Sequence, residues 1–228
     1  MTATLPIAER MPIVGTDIID TTDERWAMSD AAWYGVASEF AERMLGSGRI
    51  EGCTERKKCL VIGSPIPELW KIQANGWGTA YVDCREAPEE VGRSIVADAT
   101  ALPSGDGFYD AVSSTCVTCH AGLGRYGDPI KPNGDLLMLK EIYRVLKSGG
   151  RAAICLGPCS DQLRASVVYG NVHRVYKPAE ILSEIESIGF VVLDSQLTAA
   201  HEPVGAPEIE DDSICVHYSY LSVLLGKP

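Results

Sequence analysis

From residue 58 onward, hydrophobic residues alternate between short continuous runs and runs with helical spacing. Helical spacing predicts helices over residues 67–76, 135–147 and 178–189. The continuous runs predict buried strands over residues 58–63, 79–83, 94–98, 109–117, 151–157, 190–197 and 215–225. Strands that alternate with helices are typical of a parallel sheet covered on both faces. The predicted fold class is therefore α/β and doubly wound, with an antiparallel strand near the C-terminus.

The first 50 residues fall outside this alternation. Trp33 and Phe40 recur at helical spacing, which predicts a helix laid over the domain. We therefore predict a helical appendage or lid over residues 1–50 and one sheet-based domain over residues 51–228. Aromatic residues at this spacing usually pack, but Trp33 and Tyr34 are also candidates for a substrate pocket.

The charge of the chain narrows the classes of partner. Its 31 Asp and Glu residues outnumber its 20 Lys and Arg residues, and the formal net charge is −11. Such a chain repels phosphate backbones and anionic membranes, so we expect a small-molecule substrate and neither a nucleic-acid nor a membrane partner. A homodimer is the one protein assembly that we consider. The start of the chain lacks a signal-peptide pattern, and no run reaches the roughly 18 apolar residues of a membrane span. We expect a cytoplasmic protein.

Cysteine spacing gives little support for a metal site. The eight cysteines are scattered through apolar runs, as buried reduced thiols are. Cys116 and Cys119 form one C-x2-C pair beside His120, but no second pair supplies the other ligands of a zinc site. We therefore expect no metal.

Candidate ligand-binding residues stand where three predicted strands end. In doubly wound sheets, ligands bind at the carboxyl ends of strands, where the strand order reverses. Asp83 follows the first loop by about 20 residues, the spacing of a carboxylate that accepts from ribose hydroxyls, although a solvated loop carboxylate is the alternative. Asp98 is placed to accept a hydrogen bond from the exocyclic amine of adenine. The alternative is that its side chain only forms a turn. The candidates are Gly63, Ser64 and Pro65 after the first strand, Asp83 and Cys84 after the second, and Asp98 and Ala99 after the third.

A longer pattern carries a family resemblance. The segments VADATALPSGDGFYDAVSS and LLMLKEIYRVLKSGGRAAICLG resemble the class I S-adenosylmethionine (SAM) dependent methyltransferase superfamily, and the resemblance runs from about Lys58 to Leu197. It implies a Rossmann-like methyltransferase sheet and SAM as cofactor or substrate. It also adds Thr115 and Cys116, at the end of the fourth strand, to the cofactor-binding candidates.

Two departures from the family pattern bear on the chemistry. The first loop, usually rich in glycine, here contains Pro65 and Pro67, each of which lacks an N–H group. The fourth strand, often followed by Glu-His in the family, is followed by Cys119 and His120. His120 is therefore the candidate base, with a purely structural histidine as the alternative.

Two further segments supply candidates. In the family, the loop over residues 157–177 covers the sulfonium, and Tyr176 suits a cation–π cap or, alternatively, a staple for the helix that begins at Pro178. Asn171 could orient an amine or a carboxylate. The 122–135 segment contributes substrate-pocket candidates, or else a tight turn with an internal Arg and Asp pair. They are Arg125, Tyr126 and Asp128.

The length, the altered first loop and the aromatic of HRVYKP resemble the azetidine-2-carboxylate synthases, SAM cyclases of natural-product biosynthesis. The favoured hypothesis is therefore attack by the α-amine of SAM on its own γ-carbon, giving azetidine-2-carboxylate and methylthioadenosine. The alternatives are methyl transfer from SAM to a small-molecule acceptor and a SAM-binding protein without catalysis.

Overall fold

The computed structural model describes residues 11, 13–14, 32–63, 66–199 and 219–228. None of its described helices is both long and apolar enough to cross a membrane. The elements, in chain order, are β1 (Ile13–Val14), α1 (Ala32–Leu45), β2 (Lys58–Ile62), α2 (Ile66–Ala74), β3 (Gly78–Asp83), β4 (Ser94–Val96), β5 (Tyr109–Thr115), α3 (Gly134–Val145), β6 (Leu146–Cys159), β7 (Val167–Tyr169), β8 (His173–Val175), α4 (Pro178–Ile188), β9 (Val191–Ala199) and β10 (Ser219–Gly226).

Seven strands form the main sheet, in the order β4-β3-β2-β5-β6-β10-β9. The ladders that join β4 through β6 are parallel, whereas β10 runs antiparallel to both of its neighbours, β6 and β9. This confirms the predicted α/β, doubly wound methyltransferase fold with an antiparallel strand near the C-terminus. The strand order reverses between β2 and β5, so their carboxyl ends mark the switch point at which ligands bind in such sheets.

Alternating side chains give the sheet two buried faces. On β2, Leu60 and Ile62 join the core built with α3 and α4, whereas Cys59 and Val61 join the core built with α2. This alternation follows from the period of two along a strand. Helices therefore cover both faces, as the continuous apolar runs of the sequence predict.

Helix α1 packs directly on the sheet. Phe40 and Ala41 are buried against Ala153 of β6 and Leu224 of β10. The packing interpretation of this helix therefore accounts for its apolar face. The side chains of Trp33 and Tyr34 lie outside the described part of the structure, and both their pocket role and the domain boundary at residue 50 stay predictions.

A second, three-stranded sheet in the order β1-β7-β8 occupies part of the segment predicted as a covering loop. Strands β7 and β8 pair antiparallel, with Tyr169 opposite His173, and the turn between them contains Asn171. Three-residue strands are too short to show a hydrophobic period, so pairing in the folded chain, and not local pattern, determines them.

Candidate active site at the carboxyl edge of the sheet

Gly63 closes the end of β2 against two neighbouring segments. Its φ is +55°, and a Cβ built on it would lie 2.8 Å from Cγ2 of Val117 and 3.5 Å from Oδ2 of Asp83. A side chain here would meet both a left-handed backbone penalty and a steric clash. Glycine therefore lets the side chain of Val117 pack directly against the end of β2, beside the carboxylate of Asp83. The neighbouring candidates Ser64 and Pro65 lie outside the described residues.

Asp83 turns one carboxylate oxygen toward Gly63. Its Oδ1 accepts two hydrogen bonds from Arg85, one from the backbone N at 2.9 Å and one from the side-chain Nε at 3.2 Å. Its Oδ2 faces Gly63. The side chain is 6% exposed. A carboxylate held in this way beside a glycine suits the paired hydroxyls of a ribose.

Tyr126 lies across the residues that follow Asp83. The Cys84 thiol approaches the carbonyl oxygen of Tyr126 at 3.7 Å, and the Arg85 guanidinium carbon lies 4.7 Å from the centroid of its ring. Burial and the nearby Asp83 carboxylate raise the pKa of the Cys84 thiol to about 12, so it stays protonated at neutral pH. The structure thus brings the predicted residues 83, 84 and 126 together.

Asp98 tethers a loop. Its Oδ1 accepts from the backbone N and the hydroxyl of Thr100 at 2.8 and 2.7 Å, and its Oδ2 accepts from Nζ of Lys131 at 2.8 Å. Burial alone would raise the pKa of Asp98, but the hydrogen bonds from Lys131 and Thr100 hold it below its usual value. Ala99 lies in the same turn and packs against the core. The adenine-binding role of both residues stays a prediction.

His120 stands beyond the end of β5 in a ring of polar and aromatic groups. Its Nδ1 lies 2.6 Å from the carbonyl oxygen of Val172, and its ring centroid lies 5.5 Å from that of Tyr126 and 6.2 Å from that of His173. Because a carbonyl only accepts, Nδ1 carries the proton and Nε2 is the basic nitrogen. Burial, and next the charge of Arg125, lower the pKa of His120 well below 6.5. The imidazole is therefore neutral at pH 7.

Asp128 and Arg125 build the turn beside His120, but not through a mutual ion pair. The Asp128 carboxylate accepts from the backbone N–H groups of Gly122 at 2.8 Å and of Tyr126 at 3.2 Å. Arg125 donates a hydrogen bond from Nη1, at 3.1 Å, to the same Val172 carbonyl that accepts from His120. The turn itself is thus confirmed, whereas the internal Arg and Asp pair is replaced by side-chain contacts to the backbone.

Thr115 and Cys116 end β5 in different ways. The Thr115 hydroxyl donates to Oε2 of Glu68, and that of Ser113 donates to Oε1 of Glu68 at 2.6 Å. Glu68 is completely buried on α2. Cys116 has a φ of +56°, the only left-handed value among the described residues other than glycine, and its Sγ lies 3.5 Å from that of Cys155. A strained backbone at a strand end is a common feature of functional sites.

Tyr176 is completely buried in the main core. Its hydroxyl lies 3.4 Å from Oδ2 of Asp135, whose Oδ1 lies 3.6 Å from Nε of the equally buried Arg174. Arg174 also donates to the carbonyl of Ala121 at 2.7 Å. This network joins β8, the loop after β5 and the start of α3. The buried position fits the stapling alternative, and the sulfonium cap stays a prediction. Asn171 is buried in the β7–β8 turn, and its role also stays a prediction.

Three residues of this edge were not singled out by sequence reasoning. Glu68 directly follows Pro67, and two hydroxyls of β5 donate to its carboxylate from a distant part of the chain. Arg85 directly follows the predicted pair Asp83 and Cys84, which is the one local signal for it. Lys131 lies 33 residues from its partner Asp98.

Metal ligands do not converge in the described part of the chain. No group of three or more His, Cys, Asp or Glu side chains there is placed to hold an ion. Cys116 and Cys119 are both buried free thiols. The expectation of a site without metal stays a prediction.

Comparisons with known proteins place the chain among methyltransferase folds. A solved 1,6-didemethyltoxoflavin-N1-methyltransferase from Burkholderia thailandensis, with bound 1,6-didemethyltoxoflavin and S-adenosylhomocysteine, is similar with a TM-score of 0.61 and 18% identity, over 87% of this chain and 79% of that one. The geranyl diphosphate C-methyltransferase of Streptomyces coelicolor is similar with a TM-score of 0.57 and 13% identity, over 85% and 80%.

The same fold occurs in an enzyme of another kind. The [4+2]-cyclase SpnF is similar with a TM-score of 0.56 and 15% identity, over 98% of this chain and 89% of that one. A family model described as "Caenorhabditis protein of unknown function, DUF268" matches residues 102–204, less than half of the chain. A comparison with curated proteins found no match. These likenesses establish the fold and leave the reaction open.

Proposed function

We propose that this protein is a SAM-dependent enzyme that transfers a methyl group to an N–H or O–H group of a small molecule, with His120 as the general base. The observation that carries the proposal is the position of His120 beyond the end of β5, where the contact of Nδ1 with the Val172 carbonyl leaves Nε2 as the basic nitrogen. Two structural neighbours were solved with S-adenosylhomocysteine, which supports SAM as the cofactor.

The end of β2 at Gly63, beside Asp83, is the proposed position of the adenosine half of SAM. Gly63 keeps the backbone free of a side chain there, and Oδ2 of Asp83 faces Gly63. In the proposal, Asp83 accepts from the ribose hydroxyls, and Arg85 keeps the carboxylate in place through its contacts to Oδ1. When bound, SAM supplies an electrophilic methyl group on a sulfonium. The protein contributes orientation and exclusion of water.

His120 takes the proton of the acceptor. Donation from Nδ1 to the Val172 carbonyl orients the ring and leaves Nε2 as the proton acceptor. Nearby Arg125 favours the neutral imidazole over the charged one before the reaction. Tyr126 and His173, whose rings pack against His120, form the wall against which a planar acceptor would lie.

Cyclisation of SAM to azetidine-2-carboxylate is the second candidate, and the charge around His120 favours it. This reaction needs a neutral α-amine, and the Arg125 charge that lowers the pKa of His120 would also disfavour an ammonium group. The base at His120 then receives the amine proton. We propose a small-molecule substrate in both cases, with no nucleic acid or membrane partner, in a cytoplasmic monomer or homodimer.

Product analysis tests these functions. Purified protein is incubated with SAM alone, and then with SAM and a panel of small amines, phenols and heterocycles, and the products are identified by mass spectrometry. S-adenosylhomocysteine that forms only with an acceptor supports methyl transfer. Methylthioadenosine and azetidine-2-carboxylate from SAM alone establish cyclisation instead. SAM binding by calorimetry without any product would identify a non-catalytic binding protein, and absence of binding would overturn the proposal.

A further inference from the structure

A cavity of about 330 Å³ lies at the opposite edge of the sheet, near the amino ends of β2, β5 and β6. Leu45 of α1 and Trp77 contribute its apolar wall. Trp77 is 5% exposed, and its indole N–H donates to the carbonyl of Gly46 at 2.9 Å, so the ring is fixed. The volume falls at the lower end of the range of about 300–1,000 Å³ found for small-molecule pockets.

Positive charge predominates in this cavity. Lys57, Lys147 and Arg151 line it, together with the carboxylate of Asp110. That carboxylate is already engaged, because Oδ1 accepts from Nζ of Lys147 at 2.6 Å and Oδ2 accepts from the backbone N of Lys58 at 2.8 Å. Within the described residues, no carboxylate lies at ion-pair distance from Lys57 or Arg151. Three cations thus line the cavity against the single carboxylate of Asp110, in a chain whose net charge is −11.

The walls of the cavity are rigid elements. Lys57 precedes β2, and its backbone N donates to the carbonyl of Gly48 at 2.9 Å. Arg151 lies within β6, in register with both Ala111 of β5 and Gly226 of β10. Cations whose backbones are held in a sheet lose less conformational freedom on binding than cations on loops do. The backbones of both cations are thus fixed, while their exposed side chains can turn toward a ligand.

We propose that this cavity binds a small organic molecule that carries a phosphate or carboxylate group. The planar guanidinium of Arg151 pairs with two oxygens of the oxyanion, and Lys57 adds a point charge. The apolar body of the ligand packs against Leu45 and Trp77. This second site lies at the edge opposite Gly63 and Asp83, and it does not depend on the function proposed for that edge.

Calorimetric titration at fixed ionic strength tests the site, with inorganic phosphate, phenyl phosphate and benzoate as probes. We expect saturable binding, several-fold tighter for phenyl phosphate than for inorganic phosphate because only the former has an apolar body. Loss of one charged hydrogen-bond donor, in Arg151→Gln or Lys57→Gln, should weaken phenyl phosphate binding by about tenfold or more. Whichever of phenyl phosphate and benzoate binds more tightly identifies the preferred oxyanion.

The matched control is Lys140→Gln, which removes the same charge from an exposed position of α3 that does not line the cavity. It should leave probe binding unchanged. Probe binding that is not saturable, or that falls equally in Lys140→Gln and Arg151→Gln, would overturn the proposal in favour of a diffuse surface field. Thermal unfolding and SAM binding that match the parent chain in Arg151→Gln show that the variant is folded and that the two sites are separate.

Discussion

Individual residues at the carboxyl edge of the sheet show how a small chemical difference determines what the site can hold. Gly63 permits a close approach of Val117 that any side chain would prevent, and Asp83 turns one carboxylate oxygen toward Gly63. Glu68, on α2, accepts hydrogen bonds from two buried hydroxyls of β5. In each case the residue type matters because of a neighbour that is distant in sequence.

Gly63→Ala should lower the free energy of unfolding by more than the cost of placing an alanine in a left-handed backbone conformation. The φ of +55° costs an alanine about 1–2 kcal/mol, and the added Cβ meets Val117 at 2.8 Å. Gly46→Ala is the matched control, because Gly46 has a φ of +62° but a Cβ added to it would meet no atom within 4 Å. Urea unfolding measures both, and calorimetry should show weaker SAM binding for Gly63→Ala alone. Equal losses of stability would show that the contact with Val117 is unimportant.

His120→Gln should lower turnover by about 100-fold or more, because glutamine can still donate to the Val172 carbonyl but cannot accept a proton. SAM binding should stay close to that of the parent chain. In the parent chain, turnover should persist as the pH falls below 6.5, and it should decline only as the pH passes through the lowered pKa of His120. Substantial turnover in His120→Gln would place the base elsewhere.

Elements act together where β8, α3 and the loop after β5 meet. Arg174 and Asp135 are both fully buried, and Tyr176 packs beside them in the main core. Removing one partner of a buried ion pair costs more than the pair contributes, because the other charge is left unpaired. This network therefore holds the loop that carries His120 and Arg125 against the sheet.

Tyr176 variants separate its packing from any role in catalysis. Tyr176→Phe keeps the ring and removes the hydroxyl that lies 3.4 Å from Oδ2 of Asp135, so we expect a loss of about 1 kcal/mol in the free energy of unfolding. Tyr176→Ala should lose about 3–5 kcal/mol because it opens a cavity in the core. Urea unfolding and turnover are measured on both. Full turnover in folded Tyr176→Ala would exclude the sulfonium-cap hypothesis. The hypothesis is supported if Tyr176→Phe keeps turnover and folded Tyr176→Ala loses it.

The molecule as a whole combines two edges of opposite character. The carboxyl edge holds the proposed SAM site, with neutral histidines beside arginines, and the amino edge holds a cationic cavity. Both sit on one sheet whose faces are covered by helices. The overall negative charge thus says little about either site, since local arrangement determines the field that a ligand meets.

Stability should fall as the pH drops below 6.5, because two histidines are easier to protonate in the unfolded chain. Burial and Arg125 lower the pKa of His173 to about 4, and the pKa of His120 also lies well below 6.5. Their contribution is complete above pH 6.5 and is lost as the pH falls toward the folded-state values, by at most about 1.4 kcal/mol per pH unit for each histidine.

Urea unfolding at pH 7 and pH 5 measures this dependence. The double variant His120→Gln/His173→Gln should flatten it, because the carboxylates with lowered pKa values, such as Asp98 and Asp110, lose their contribution only nearer pH 4. An unchanged difference between the two pH values in the double variant would show that other groups control the acid response.

Local pattern was sufficient for the architecture. The apolar runs predict all seven strands of the main sheet, and helical spacing predicts α1 to α4, because both periods are properties of a few consecutive residues. Turn residues and strand ends likewise predict that Gly63, Asp83 and Asp98 lie at one edge. The sequence by itself therefore determined the fold class and the edge at which the candidate site residues lie.

Only the tertiary structure decided how that edge is used. Asp98 is tied to Lys131, Asp128 bonds to backbone N–H groups, and Tyr176 is buried beside Asp135. The short strands β7 and β8, and the carbonyl of Val172 that orients His120, also emerge only when the chain is folded. These contacts join residues far apart in sequence, and their formation depends on packing and on the satisfaction of buried polar groups, which no local pattern records.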